Sequence, residues 1–267
     1  MCRVYDVTRD GYNAWKRRGR PVRSYEDERL YDVILQLFQA SGELYGSPKI
    51  TEQMRAQGYR IGKKRVARIM RENGLVARRA TIYRKMPGLC HFITAVPKLP
   101  IEELATAPDK VWVGDITYLK VGDEWRYLAV VMDKFSRRIV GWALGKDRTA
   151  KLSWAAFKAA LAERRPEPGL IFHTDRGIEY RAYSFADRLA KRGIRQSMNR
   201  PRRMNDNAFM ESFFANFKAE RIHKRKVFET ERELRKVIID YIDFYNNRRT
   251  HSSIGYQSPA EYECKMS

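Results

Sequence analysis

Apolar residues along this chain keep two different spacings, and the change from one to the other divides it. Between 25 and 80 the spacing is helical: Leu30, Val33, Ile34, Leu37 and Phe38 fall on one face. Ser47-Pro48 predicts a second helix, with serine as the cap and proline in the first turn, and Gly58 can end it. A third helix runs from about Lys63 to Asn73. It turns Val66, Ile69 and Met70 inward, and Gly74 supplies the left-handed residue that comes after it. Its outer face carries Lys63, Lys64, Arg65, Arg68 and Arg71. Helix, short turn, basic helix is the layout of a helix-turn-helix DNA reader. A small bundle with a charged, solvated face is the plainer alternative. Residues 81–108 hold Pro87, Pro97, Pro100 and Pro108 without any period, which reads as a linker.

From Asp109 onward the pattern is that of strands. Strand one covers 111–120 and turns at Val121-Gly122-Asp123-Glu124; strand two is Trp125 to Met132 and strand three Arg138 to Leu144, antiparallel neighbours. Thr149 can cap a helix reaching about Arg164. Leu170-Ile171-Phe172 is a short buried strand leading to Asp175. A helix covers Tyr183 to Lys191, Ile194-Arg195-Gln196 makes a fifth strand, and Asp206 is placed to cap the next helix. In that helix Met210, Phe213, Phe214 and Phe217 form a buried stripe. The sum is an α/β core over 109–225: a mixed five-stranded sheet with flanking helices. A C-terminal helical tail over 226–267 has one helix near Glu229–Tyr245, packing through Leu234, Val237, Ile238, Tyr241 and Phe244, and a second start at Ser258-Pro259.

Charge narrows the partner. The formal net charge is +21, from 53 Lys and Arg against 32 Asp and Glu, spread along the chain, and it favours a polyanion such as DNA. Arg248 and Arg249, between the two tail helices, are candidate phosphate contacts, a solvated loop being the alternative. Residues 1–24 form an N-terminal basic arm in which Arg18-Gly19-Arg20-Pro21 has the form of an AT-hook core, although a solvated joint explains it as well. The first fifteen residues, with Tyr12 and Trp15, look like the end of a unit that starts upstream. The 3 cysteines and 4 histidines are scattered, which supports neither a disulfide framework nor a zinc site. No apolar run is long enough to cross a bilayer and no signal peptide is apparent, so the expectation is a soluble cytoplasmic protein without a membrane partner.

Three acids stand out. Asp115 lies mid-strand on the face of Val111, Val113, Thr117 and Leu119, where a carboxylate is unfavourable unless a cation meets it. Asp175 ends a strand, and Glu211 flanks the stripe of its helix with Lys218 two turns further on nearly the same face. Three separated carboxylates of this kind suit Mg²⁺, which takes oxygen ligands and keeps several waters. Lys218 is placed to touch a phosphate near them. His173 reads as a strand residue beside the site, and Asp133 as a turn cap closing a hairpin strand.

In sequence order, GDITYL, HTDRGIEY and DNAFMESFFANFK, with 35 residues between the last two acids, resemble the DDE integrase core of IS3-family insertion-sequence transposases, in the part that the second reading frame encodes. The likeness runs through FYNNRRTHSSIGYQSPAEYE and covers nearly the whole chain; the 25–80 stretch likewise resembles the helix-turn-helix domain before that core. One departure is the loop Pro201-Arg202-Arg203-Met204-Asn205, where the family usually has Gly and Tyr. The resemblance implies a ribonuclease-H-like fold, and DNA strand cleavage and joining at terminal inverted repeats. It implies Asp115, Asp175 and Glu211 as ligands of two Mg²⁺ ions, with Mn²⁺ as a substitute, and phosphoryl transfer without a covalent protein–DNA intermediate. It also implies action as a homo-oligomer on paired ends and fusion to an upstream-frame protein by frameshifting. A nuclease that cuts without joining, and a DNA-binding regulator with a degenerate core, are the rival readings.

Overall fold

In a computed structural model of the protein, residues 8–17, 22–77, 96–200, 207–222 and 228–266 are described, and the chain divides into two compact units, Met1–Arg79 and Ala80–Ser267. The Arg18–Pro21 motif, the Pro201–Asn205 loop and Asp206 lie outside the described residues.

The first unit holds α1 (Arg9–Arg17), α2 (Val22–Ala40), α3 (Ser47–Ala56) and α4 (Lys63–Glu72). The periodic residues close one core: Ile34 and Phe38, Ile50 and Met54, and Val66, Ile69 and Met70 are buried together. α4 ends as Gly74 leads one to expect. The glycine has φ 67°, its N–H donates to Arg71 O at 3.2 Å, and Leu75 N–H donates to Met70 O at 2.8 Å. α3 has its cap one residue earlier than expected. Gly46 is that cap, because the Gly46 carbonyl already accepts from Ile50 N–H at 3.1 Å, and Ser47 is the first helical residue.

The second unit begins with α5 (Ile101–Leu104), then β1 (Val111–Val121), β2 (Glu124–Asp133), β3 (Ile139–Gly145), α6 (Ala150–Arg164), β4 (Ile171–Thr174), α7 (Ile178–Arg181), α8 (Tyr183–Ala190), β5 (Arg195–Met198), α9 (Ala208–Phe217), α10 (Glu231–Asn247) and α11 (Pro259–Cys264). The sheet order is β3-β2-β1-β4-β5, with β1 to β3 antiparallel and β4 and β5 parallel to β1. Thr149 caps α6, its side chain accepting from Leu152 N–H, as the sequence predicts. α9 starts after Asn207, and β5 runs from Arg195 to Met198.

Side-chain alternation sends each strand's apolar residues to two faces. One face packs Trp112, Ala129, Val131 and Phe172 against Phe157 of α6 and Phe185 of α8. The other packs Val113, Leu119, Val130 and Met132 against the α9 stripe and against Leu234, Ile238, Tyr241 and Tyr245 of α10. The segment expected as a tail therefore shares the core of the sheet. Asn246 ties it down by accepting from Ile139 N–H at 2.8 Å and donating to Ile139 O at 2.9 Å. Glu263 of α11 accepts from Arg138 and Arg164, both at 2.9 Å. The linker expected over 81–108 is partly built in as well: Leu99 N–H donates to Ser197 Oγ at 3.0 Å and Ile101 is fully buried.

Two glycines are set by close approach. A Cβ on Gly114 would lie 2.5 Å from the Phe172 ring, and one on Gly141 would lie 2.5 Å from Ala156 O and 2.6 Å from Ala160 N, in the backbone of α6. The short length of β4 opens the sheet on one side. β4 pairs with β1 only from Val111 to Gly114, so β1 has a free edge there from Asp115 until Val121, which bridges to Phe228.

Candidate active site

Asp115 is the first residue of β1 past its last β4 partner, and Asp175 is the first residue after β4, whose Thr174 stands beside Gly114. Parallel pairing thus brings the two carboxylates together at the place where the sheet opens. Asp115 Oδ1 accepts from Ile116 N–H at 2.7 Å, and Asp175 Oδ1 accepts from Gly177 N–H at 2.9 Å. Asp115 as a residue is only half-buried, yet its carboxyl sits deep enough that desolvation, and then the charge of Asp175, push its pKa up to about 8. Burial also raises Asp175, with the charge of Glu179 adding to it. Each acid alone could be a structural residue; two buried carboxylates side by side, one raised further by the charge of the other, mark a place that wants a cation.

Glu211 is half-buried in the first turn of α9. The start of that helix is anchored beside Asp115, since Asn207 Nδ2 donates to Gly114 O at 3.2 Å, and Glu211 comes one turn after Asn207 on the same side. Among the described residues, no three His, Cys, Asp or Glu side chains are grouped as a metal site. The structure therefore joins Asp115 to Asp175 and sets Glu211 on the adjoining helix. Lys218 opens the π-helical turn Lys218–Ile222 after α9. Its Nζ lies 4.5 Å from the centre of the Tyr118 ring; burial lowers its pKa, and the Asp115 charge opposes that.

Two residues here escape sequence reasoning. Arg148, just before α6, donates to Glu179 Oε1 from Nε at 2.9 Å and from Nη2 at 2.7 Å, and Nη2 stands 3.9 Å from Asp175 Oδ2. Glu179, in α7, is 2% exposed, and its Oε2 has no hydrogen-bond partner. A charged residue before a helix reads as solvated, and nothing local links Arg148 to an acid 31 residues away. His173 is a satisfied core residue of β4, its ring nitrogens 2.8 Å from Ser197 Oγ and Asn199 Oδ1. Asp133 is a turn acid, accepting from Ser136 N–H, Ser136 Oγ–H and Asp109 N–H, and burial pushes its pKa up to about 6.

The basic residues divide. On α4, Lys63, Lys64 and Arg71 are exposed, whereas Arg65 pairs with Glu26 and Asp27, and Arg68 with Asp27 and Glu72. Arg248 is exposed and pairs with Asp243 at 2.8 Å. Arg249 needs correction as a DNA contact. It is 7% exposed, and its guanidinium is taken up by buried Glu220, Nη2 to Oε1 at 2.8 Å, with Tyr241 Oη–H donating to the same carboxylate at 3.1 Å. An arginine so enclosed offers no face to a phosphate.

Three stretches match known families: residues 25–83 an HTH-like domain, and residues 105–204 and 192–259 two integrase core domains. The chain is 35% identical over 269 residues to the transposase InsF for insertion sequence IS3A of Escherichia coli (strain K12), covering 99% of this chain and 93% of that relative. It is also 35% identical over 267 residues to an uncharacterized 31 kDa protein of insertion element IS600 from Shigella sonnei, covering 99% and 98%. Among solved structures, the simian T-cell lymphotropic virus intasome in complex with PP2A regulatory subunit B56 gamma aligns over 86% of this chain and 74% of that one. The TM-score is 0.50 at 15% identity, a likeness of fold.

Proposed function

The chain belongs to the IS3-family insertion-sequence transposases, DNA-cleaving and strand-transferring enzymes with an integrase core, and from that premise we propose that Asp115, Asp175 and Glu211 hold two Mg²⁺ ions at which DNA strands are cut and joined. The observation that carries this reading is the placement of Asp115 and Asp175 side by side by β1–β4 pairing at the open edge of β1, where burial raises both carboxyls and the charge of Asp175 raises Asp115 further. The donors fit the ion. They are hard carboxylate oxygens, and backbone N–H groups occupy Oδ1 of each aspartate, while Asp175 Oδ2 already stands 3.9 Å from the Arg148 guanidinium. Mn²⁺, with similar ligand preferences, substitutes. When bound, such a metal pair polarises the scissile phosphate and activates the attacking oxygen.

The protein's own groups do the rest. Asp115 and Asp175, fixed by strand pairing, would hold the cations that offset the charge of the phosphate, and Glu211 closes the site from α9. Lys218 meets a non-bridging phosphate oxygen. Water in cleavage, and a DNA 3′-hydroxyl in joining, displace in line at phosphorus, so one site serves both steps and no side chain forms a bond to DNA. Lys63, Lys64 and Arg71 face DNA from α4 as phosphate contacts, and Arg248 does so from the end of α10. The DNA is the element's terminal inverted repeats and a target, held as paired ends by a homo-oligomer. Among the described residues no helix is long and apolar enough to cross a membrane. An upstream-frame fusion partner supplies dimerisation, since no stretch of this chain keeps apolar heptads over several repeats. The test is Mn²⁺ binding monitored by electron paramagnetic resonance. Asp115→Asn and Asp175→Asn should each weaken it at least about tenfold, and unchanged binding by both would remove the pair from the metal site.

A further inference from the structure

Three residues past Asp115, the open stretch of β1 carries an aromatic pair that stands exposed. Tyr118 is 56% exposed and Trp125, on β2, is 50% exposed; their ring centres are 5.2 Å apart at 83°. Both lie on the face opposite buried Thr117, Leu119 and Val121, and Lys120 stands directly across from Trp125 in the ladder. A cross-strand aromatic pair stabilises a hairpin without a ligand, so the pair alone decides nothing. Lys218 changes that. Its half-buried ammonium sits over the Tyr118 ring while its charge is felt at Asp115 on the other face of the strand. Among the described residues no carboxylate forms an ion pair with it. An unmatched cation therefore stands between the acid pair and an exposed aromatic surface, and a second cation, Lys120, borders that surface. Rings beside cations are what a nucleotide meets: a π-face for the base and charge for its phosphate.

We propose that Tyr118 and Trp125 form a stacking platform for one unpaired nucleobase of the DNA strand whose phosphate lies at Asp115 and Asp175. An unpaired base is required because a duplex keeps its base faces within the stack, while an extruded or frayed base presents one. The platform rests on the assignment of the acid pair for its position and on its own rings for its binding, so the two can be tested apart.

The experiment titrates full-length protein, without divalent metal, into a duplex bearing a single unpaired 2-aminopurine at its end, with a fully paired blunt duplex as control. Stacking quenches the fluorophore. Tyr118→Ala and Trp125→Ala should each abolish the quench and weaken binding to the tailed duplex by roughly tenfold, leaving the blunt duplex within about twofold. Tyr118→Phe should retain the quench, as only the ring is needed, and thermal unfolding should show that the exposed substitutions leave the fold intact. Asp115→Asn should also retain it. If joining survives Asp115→Asn while the quench is lost in Tyr118→Ala, the platform stands and the acid assignment falls. Undiminished quench and affinity in the Tyr118→Ala, Trp125→Ala double variant overturns the platform. So does an effect confined to self-association in sedimentation, which would make this face a contact between two copies of the chain.

Discussion

Replacing Arg148 by methionine removes the partner of a carboxylate that has nowhere else to turn. Glu179 is 2% exposed; both Arg148 bonds go to its Oε1, and its Oε2 already lacks a partner. Breaking one side of a fully buried pair costs about 3–5 kcal/mol, because the remaining charge is stranded. The Arg148 side chain is 44% exposed, so solvent screens the pair and the expectation drops to roughly 2–3 kcal/mol. At about 2–4 °C per kcal/mol for a unit of this size, the melting temperature should fall by roughly 4–12 °C. Adding Glu179→Gln should recover most of the loss, since no charge is then left buried. The Arg148 charge also favours the ionised forms of Asp115 and Asp175, so the variant should raise both carboxyls further. The assay is a double-mutant cycle read by thermal and urea denaturation. A single variant within about 0.5 kcal/mol of the parent, or a double variant no better than the single, would refute the stranded-charge argument.

Arg249→Met should destabilise the protein by about 3–5 kcal/mol in urea denaturation, since Glu220 loses its buried partner, while folded Arg249→Met keeps the parent's salt slope for DNA binding; a shallower slope would return Arg249 to the DNA. Replacing Lys63, Lys64 and Arg71 by alanine should flatten the plot of log affinity against log salt by about 1 for each phosphate left unneutralised, whereas Arg65→Ala should mainly lower the melting temperature, having given up Asp27 and Glu26. Gly141→Ala should lower the melting temperature clearly, because the clash is with the α6 backbone; an unchanged value would mean α6 can move aside freely. Asp133→Asn should flatten the pH dependence of stability between about pH 4 and 6. The sign comes from its raised pKa: the contribution is full below the unfolded value of 3.8 and is lost as pH rises through about 6, and an unaltered slope would contradict it.

The sheet is legible in the sequence because its information is local. Alternation in Val111–Leu119, the short run before Asp175, and the aromatic stripe of α9 each report burial within a few residues. The acids are legible for the same reason, as charges placed where apolar patterns lead. What escapes is pairing across sequence. Arg65 with Asp27, Arg148 with Glu179 and Arg249 with Glu220 meet only after helices pack, 38, 31 and 29 residues apart. A basic residue reads the same in sequence whether it faces DNA or a buried acid, which is why sequence alone offers Arg249 as a phosphate contact. The α3 cap shifts from Ser47 to Gly46 because serine and glycine both cap helices, and only the Gly46 carbonyl bond decides between them.

The most direct measurement is single-turnover strand joining of a pre-cleaved element end into target DNA in Mg²⁺, using Asp115→Asn, Asp175→Asn and Glu211→Gln proteins, with end binding measured alongside in gel shifts. The account predicts that all three lose joining by at least about a thousandfold while binding the end within a few-fold of the parent. Joining at the parent's rate by Glu211→Gln would remove Glu211 from the site, and joining at that rate by either aspartate variant would contradict the assignment at its centre.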